Sequence, residues 1–218
     1  MIININAGFV PCIAPAISNE KVRHYLNGFL VESADPLPGV YLVATDGHRL
    51  LVAYDESGTC EESAIIEPSK EMLAACKRGK YDLPKRLIIS DGKPSVEMGE
   101  VTVWASGIDC RIDATYADWR RIIQPIESQV LKDGAEALSP VVNVAFNAKY
   151  LADFSKTISA INTNFDVNAK VVSMRIGVNE AVHVRFSGAV PIFGLLMPWR
   201  YVEIDDTLPG WLQFNSQA

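Results

Sequence analysis

Apolar and polar positions along the chain follow two periods, and the change from one to the other recurs. Short alternating or continuous apolar runs bounded by Gly, Asp or Pro read as strands, whereas spacings of three and four residues read as one face of a helix. A first block, 1–55, opens on a strand at 2–5 and has further apolar runs at 26–32, 40–44 and 50–54. Pro11 and Pro15 interrupt the segment between, so the helix expected within 7–18 is short or broken. Asp46-Gly47 between two apolar runs predicts a hairpin turn. A second block, 63–123, repeats the order: a strand at 64–67, a helix over 68–79, and strands at 86–90, 94–98, 101–105 and 110–113, with Asp91-Gly92 as a second hairpin turn. On its helix Met72, Leu73 and Cys76 share one face, and Lys70, Lys77 and Arg78 the other. A third block, 141–206, begins with a strand at 141–146. Its helix is N-capped by Asn147 and carries Tyr150, Leu151, Phe154, Ile158 and Ile161 on one face. Lys149 and Lys156 lie opposite, with Asp153 beside them, and strands follow at 171–176, 181–186 and 192–197. Residues 125–140 predict a linker, and 207–218 a peripheral or partner-bound tail. The fold class is therefore α+β, built from a repeated strand–helix–strands unit: two units in 1–124 and one in 141–206.

Composition narrows the class. At 49% hydrophobic and 21% charged residues the chain reads as a soluble globular protein. No apolar run approaches the roughly 20 residues of a membrane span. The first residues read as a strand rather than a signal peptide, so a cytoplasmic location is expected. Cys12, Cys60, Cys76 and Cys110 are scattered, which disfavours a metal site, and no cofactor is expected. His24, His48 and His183 stand outside any hydrolytic or phosphate-binding motif, so no enzyme is expected. The net charge of -6 disfavours a nucleic-acid binder unless the basic side chains are gathered on one surface.

Five segments, in order, carry a resemblance. Val22-Arg-His-Tyr-Leu-Asn-Gly28 and Ala44-Thr-Asp-Gly-His-Arg-Leu50 resemble the middle domain of the beta sliding clamp of bacterial DNA polymerase III. Tyr116-Ala-Asp-Trp-Arg-Arg-Ile122 is similar to that family's FPDYRRV segment. Phe146-Asn-Ala-Lys-Tyr-Leu151 and Leu195-Leu-Met-Pro-Trp-Arg200 complete the series, the last resembling the family's VVMPMRL. The resemblance implies a clamp fold of beta-alpha-beta-beta-beta units, helices inside and sheets outside, in a ring around duplex DNA. It also implies a groove for short linear motifs of a DNA polymerase and clamp loader. That groove would comprise Thr45, Gly47, His48, Arg49, Leu50, Arg121, Ile122, Leu195, Leu196, Met197, Pro198, Trp199 and Arg200. Arg23, His24 and Tyr25 match a loop that projects toward DNA in the family. Lys70, Lys77, Arg78, Lys149 and Lys156 would meet phosphates without reading sequence.

The chain departs from the family in length, since it has room for only about half the family's units. Ala117 stands where the family has proline, and Trp199 where it has methionine. By motif order the first domain and half of the third are missing, which leaves the third block without its partner unit. Its Phe154 and Ile158 face and its sheet edge are then expected to be exposed, and to pair between copies in a homo-oligomer of about four chains. A clamp that tethers a polymerase to DNA is the function expected. The alternative is an adaptor or decoy that binds replication-protein peptides without encircling DNA.

Overall fold

The computed structural model describes residues 1–79, 83–123, 145–170, 172–175 and 181–198. The linker 125–140, the groove candidates Trp199 and Arg200, and the tail 207–218 lie outside the described residues.

The first two units exchange their opening strands. Unit one comprises β1 (Ile2–Asn6), α1 (Phe9–Ile13), β2 (Phe29–Ser33), β3 (Val40–Thr45), β4 (Arg49–Asp55) and β5 (Thr59–Cys60). Unit two comprises β6 (Ala64–Ile66), α2 (Lys70–Cys76), β7 (Lys85–Ser90), β8 (Lys93–Met98), β9 (Val101–Ala105) and β10 (Arg111–Ile112). One sheet runs β5-β1-β7-β8-β9, and the other begins β10-β6-β2-β3-β4. Exchanging the two units maps one strand order onto the other, so 1–112 folds with internal twofold symmetry. Neither unit can complete its sheet without the other. The turns obey local chemistry: Asp91 and Gly92 both take positive φ (49° and 80°), as a tight hairpin between β7 and β8 requires.

The third unit comprises α3 (Ala148–Phe165), β11 (Val172–Arg175), β12 (Val182–Phe186) and β13 (Ile192–Leu196). It is not left open. β13 pairs antiparallel with β4 from Ile192↔Ala53 to Leu196↔Arg49, so the second sheet continues as β4-β13-β12-β11 to eight strands. Phe154 is buried against Phe186, Ile158 packs on the same core, and the Phe165 ring meets that of Phe9 in α1 at a tilt, 4.8 Å between centroids. This overturns the expectation that the third block exposes its apolar face and sheet edge. The free edge of β4 accepts it within the same chain, which removes the reason given for assembly through third blocks.

The helices differ in detail from the sequence pattern. α1 is one short turn, continued by a 3-10 turn at Ala14–Ala16 and buried throughout, as Pro11 and Pro15 predict. Ser69 caps α2 by accepting from the Met72 amide, and the helix ends at Cys76, because Lys77 turns to an extended ψ of 137°. Lys77 and Arg78 therefore follow the helix rather than lying on its outer face. Asn147 caps α3 through the Lys149 amide. Leu151 lies on the exposed side of α3, and Asp153, expected beside the lysines, is buried.

The inner face of the eight-stranded sheet, the five-stranded sheet and all three helices share one core. A smaller apolar cluster covers the outer face of the eight-stranded sheet. Because Phe154 fastens α3 to both core and β12, Phe154→Ala is expected to cost about 3–5 kcal/mol. Chemical denaturation and limited proteolysis would read it as early release of the third unit. Equal stability and cleavage in both proteins would contradict this packing.

Candidate functional site

Strand alternation divides the candidate groove residues between two faces. Thr45, Leu50, Leu195 and His183 are register neighbours across β3, β4, β13 and β12, and Val43, Val52, Phe193 and Arg185 form the next row. These rows make the floor of the outer-face cluster. His183 meets Phe193 edge-on at 5.2 Å, and the Arg185 guanidinium lies 4.9 Å from the same ring. Leu196 and Arg49, also register neighbours, point to the helix side. Leu196 is fully buried in the main core, so it cannot line a groove on the outer face. Arg49 is buried in ion pairs with Asp153 of α3 and with Asp46, and its guanidinium lies 4.9 Å from the Tyr150 ring. Both residues were expected in the groove; the strand period of two places them behind it.

The segment 116–123 crosses this face. The Tyr116 hydroxyl accepts from the Thr45 amide at 3.1 Å and donates to the Val43 carbonyl at 3.2 Å, which ties the segment to the end of β3. Trp119 is buried in the outer cluster and donates to Glu32 at 2.9 Å. Arg120 pairs with the same carboxylate at 2.5 Å and stacks 4.4 Å over the Trp119 ring. A short helical turn starts at 120, with Ile123 packed inward and Arg121 and Ile122 outward. Arg121 is 85% exposed and pairs with Asp118. Ile122 and Met197, 39% and 37% exposed, are apolar side chains open to solvent, whereas Leu50 and Leu195 are buried in the outer cluster. Tyr116, Trp119 and Phe193 were not singled out from the sequence. The alternation of β13 and the two aromatics beside Arg120-Arg121 were the available signals.

The hairpin tip is rigid. Gly47 takes φ +87°, and a Cβ there would sit 2.4 Å from the Arg23 guanidinium. Asp46 accepts from the His48 and Arg49 amides, and Thr45 Oγ1 accepts from the Gly47 amide. The Met197 amide donates to the His48 carbonyl at 2.8 Å, which joins tip and rim, with Pro198 half-buried beyond. His48 stacks on Tyr150 at 5.3 Å. Arg23 pairs with Glu20 at 2.9 Å and donates to the Asp46 carbonyl. Tyr25 packs against the outer cluster, and His24, exposed, meets it edge-on. These three residues therefore adjoin the groove side rather than standing among the lysines of the helices.

The helix side carries the remaining candidates. Lys70, Lys77, Lys149 and Lys156 are exposed and Arg78 is half-buried, its amide donating to Asn164. Lys156 pairs with Asp153 at 2.5 Å. The solvent face of α3 otherwise presents Ala152, Ser155, Ser159 and Thr163, whose hydroxyls donate to carbonyls of their own helix. Among the described residues no group of acidic, His and Cys side chains could hold a metal. Burial pushes the Cys76 and Cys110 thiols up, to about 12 and about 11.

Known proteins share this fold. Residues 7–113 match the family model described as the central domain of the DNA polymerase III beta subunit. The beta sliding clamp of Vibrio cholerae is 32% identical over 161 residues, which cover 67% of this chain and 42% of that one. The chain thus spans less than half the length of that relative. A Pseudomonas aeruginosa sliding clamp in complex with a ligand superposes over 92% of this chain and 66% of its own, with 17% identity and a TM-score of 0.62. A Bartonella birtlesii clamp bound to griselimycin gives 92%, 66%, 17% and 0.58.

Burial raises the Asp153 carboxyl, but hydrogen bonds from Lys156 and Arg49 outweigh it and hold the group below its usual range. A depressed carboxylate stabilises the fold above its unfolded pKa, about 3.9, and loses that contribution as pH falls through the folded value. Docking of the third unit is therefore expected to weaken below about pH 4. Asp153→Asn should be weaker at neutral pH and lack this acid-dependent component. Parallel acid profiles of wild type and variant, followed by α3 helicity, would contradict it. With its fold, its matched central domain and its ordered motifs together, the chain belongs to the bacterial DNA polymerase III beta sliding clamp family.

Proposed function

We propose that this chain is a short sliding clamp that holds a DNA polymerase, or another DNA enzyme, on duplex DNA, and does so without catalysis. The observation that carries the reading is the β4–β13 seam, which sets Leu50 beside Leu195 on the outer face and ends at the Met197–His48 backbone bond; the groove expected from the motifs would lie along it. Thr45 and Leu50 stand on one side and Leu195 and Met197 on the other, with the segment 116–123 tied to the end of β3 through Tyr116. A short apolar motif fits such a groove, with Ile122 and Met197 as adaptable walls and backbone groups of the hairpin as polar anchors. Tethering multiplies rate through effective concentration, because a held enzyme rebinds DNA intramolecularly. The exposed lysines of α2 and α3 would follow phosphates and leave base edges unread.

A second reading has one specific support. All the described groove segments come from a single chain, so peptide capture needs no ring. An adaptor or decoy would bind replication-protein peptides and leave DNA alone.

Two measurements separate these readings. A labelled peptide ending in a QLxLF-type motif should bind the wild type, and Ile122→Asp with Met197→Asp should weaken it about tenfold or more. Both side chains are exposed, so the fold should survive. Equal binding by both proteins, or by neither, removes the groove. Separately, duplex DNA of arbitrary sequence should bind with a steep salt dependence. Lys70→Glu, Lys77→Glu and Lys149→Glu should each reduce the log–log slope by about 0.9. Peptide binding with no duplex binding would select the adaptor reading.

A further inference from the structure

The outer face of the eight-stranded sheet continues past the row of Leu50 and Leu195. Two residues farther along the seam, about 7 Å away in an extended strand, Val52 of β4 stands beside Phe193 of β13, and Phe193 beside Arg185 of β12. Val52 is buried, Phe193 is half-buried against the outer cluster, and Arg185 is exposed. The Arg185 guanidinium lies over the Phe193 ring at 4.9 Å, and His183 meets that ring edge-on at 5.2 Å. A guanidinium held over a ring keeps its in-plane N–H groups free to donate.

The other described arginines on or beside this face have their charge committed. Arg120 lies over Trp119 in the same manner but pairs with Glu32 at 2.5 Å. Arg121 pairs with Asp118 and Arg23 with Glu20, each at 2.9 Å. The strand neighbours of Arg185 are Ser173 and Phe193, neither of them charged. A cation beside apolar side chains is screened less than one in open water, so a carboxylate brought to it is held more firmly. We propose that Arg185 binds a carboxylate of the partner peptide, an Asp or Glu side chain beyond the apolar motif, and so selects partners with an acidic flank. The occupant is a peptide because Phe193 and Leu195 are successive outward residues of one strand, continuous with the seam along which the motif is proposed to lie. It is a carboxylate because the planar guanidinium fork matches two oxygens at once. Duplex DNA is the poorer match, since Arg185 lies on the sheet face opposite α3 and its lysines. The inference rests on the peptide-binding reading above and names the chemistry of the peptide it takes.

Titration of the full chain with labelled QLxLF-type peptides tests it. Each peptide carries two Asp, two Asn or two Lys beyond the motif, at one end or the other. The wild type should bind one Asp form about threefold or more tighter than the matching Asn form, and the gain should shrink as salt rises. Arg185→Gln should lose the gain. Arg185→Glu should reverse it and prefer the Lys form at the same end, which a merely structural role would not produce. Melting curves show that both variants are folded. The same Asp preference in all three proteins, or none in a wild type that binds the Asn form, would overturn the inference and leave the groove standing. Binding of no form at all would remove the groove reading and the inference with it. Weaker duplex binding by Arg185→Glu would assign the charge to phosphate and overturn the proposal as well.

Discussion

The seam between β4 and β13 is the interaction on which the rest of the molecule depends. It turns two exchanged units and a lone third unit into one continuous sheet. On its outer face it lays Leu50 against Leu195; on its inner face it sets Arg49 beside Leu196 and under α3. The Arg49–Asp153 ion pair, buried on both sides, closes the inner face. A buried pair of this kind adds little net stability, since desolvation offsets the attraction. Removing one partner is costly, however, because the other is left charged in the core. The pair therefore acts mainly to fix where α3 sits, while apolar packing by Phe154, Ile161 and Phe165 holds it there.

The same seam couples the outer-face cluster and the helix face in one chain. A shift of the third unit would move Leu195 and Met197 relative to Thr45 and Leu50, and would move Lys149 and Lys156 with them. The Met197–His48 backbone bond and the His48–Tyr150 stack tie hairpin tip, rim and helix together at one corner.

Much of this was legible in the residues, and the rest was hidden for a definite reason. Periodicity located the strands, the proline-limited α1, the Asn147 cap and both Asp-Gly turns, since each depends on near neighbours in sequence. The ordered motifs identified the fold family. What periodicity could not supply was pairing between distant segments. The strand exchange of β1 and β6, and the docking of β13 on β4, are set by edges dozens of residues apart. The third block was expected to stand open because its natural partner unit was missing; nothing local indicates that β4 is free to receive it. Arg49 and Leu196 were assigned to the groove because they sit inside matching motifs. In a strand, one step along the chain reverses the face, so a motif match names a neighbourhood and leaves the direction to the register. Asp153 was assigned to the lysine face by helical spacing, and its burial follows from a charge partner on another unit.

The acidic net charge is compatible with the DNA-facing surface proposed above because the two are distributed differently. In α3 the one carboxylate, Asp153, is turned inward and neutralised, so the helix shows Lys149 and Lys156 with no exposed acid between its ends. Ser155, Ser159 and Thr163 extend that face, but each donates its hydroxyl proton to a carbonyl of the same helix. Groups occupied in this way have little left for donating to base edges. What remains available is flexible ammonium charge on long stems, which suits phosphates as point charges and does not demand a fixed geometry. A surface of that kind holds a duplex through counterion release while leaving it free to move along its axis. Arg23 would be a poor addition to such a face, since its rigid fork is already committed to Glu20 and the Asp46 carbonyl. Its place at the hairpin is better understood as support for Gly47, where a side chain larger than hydrogen would collide with it.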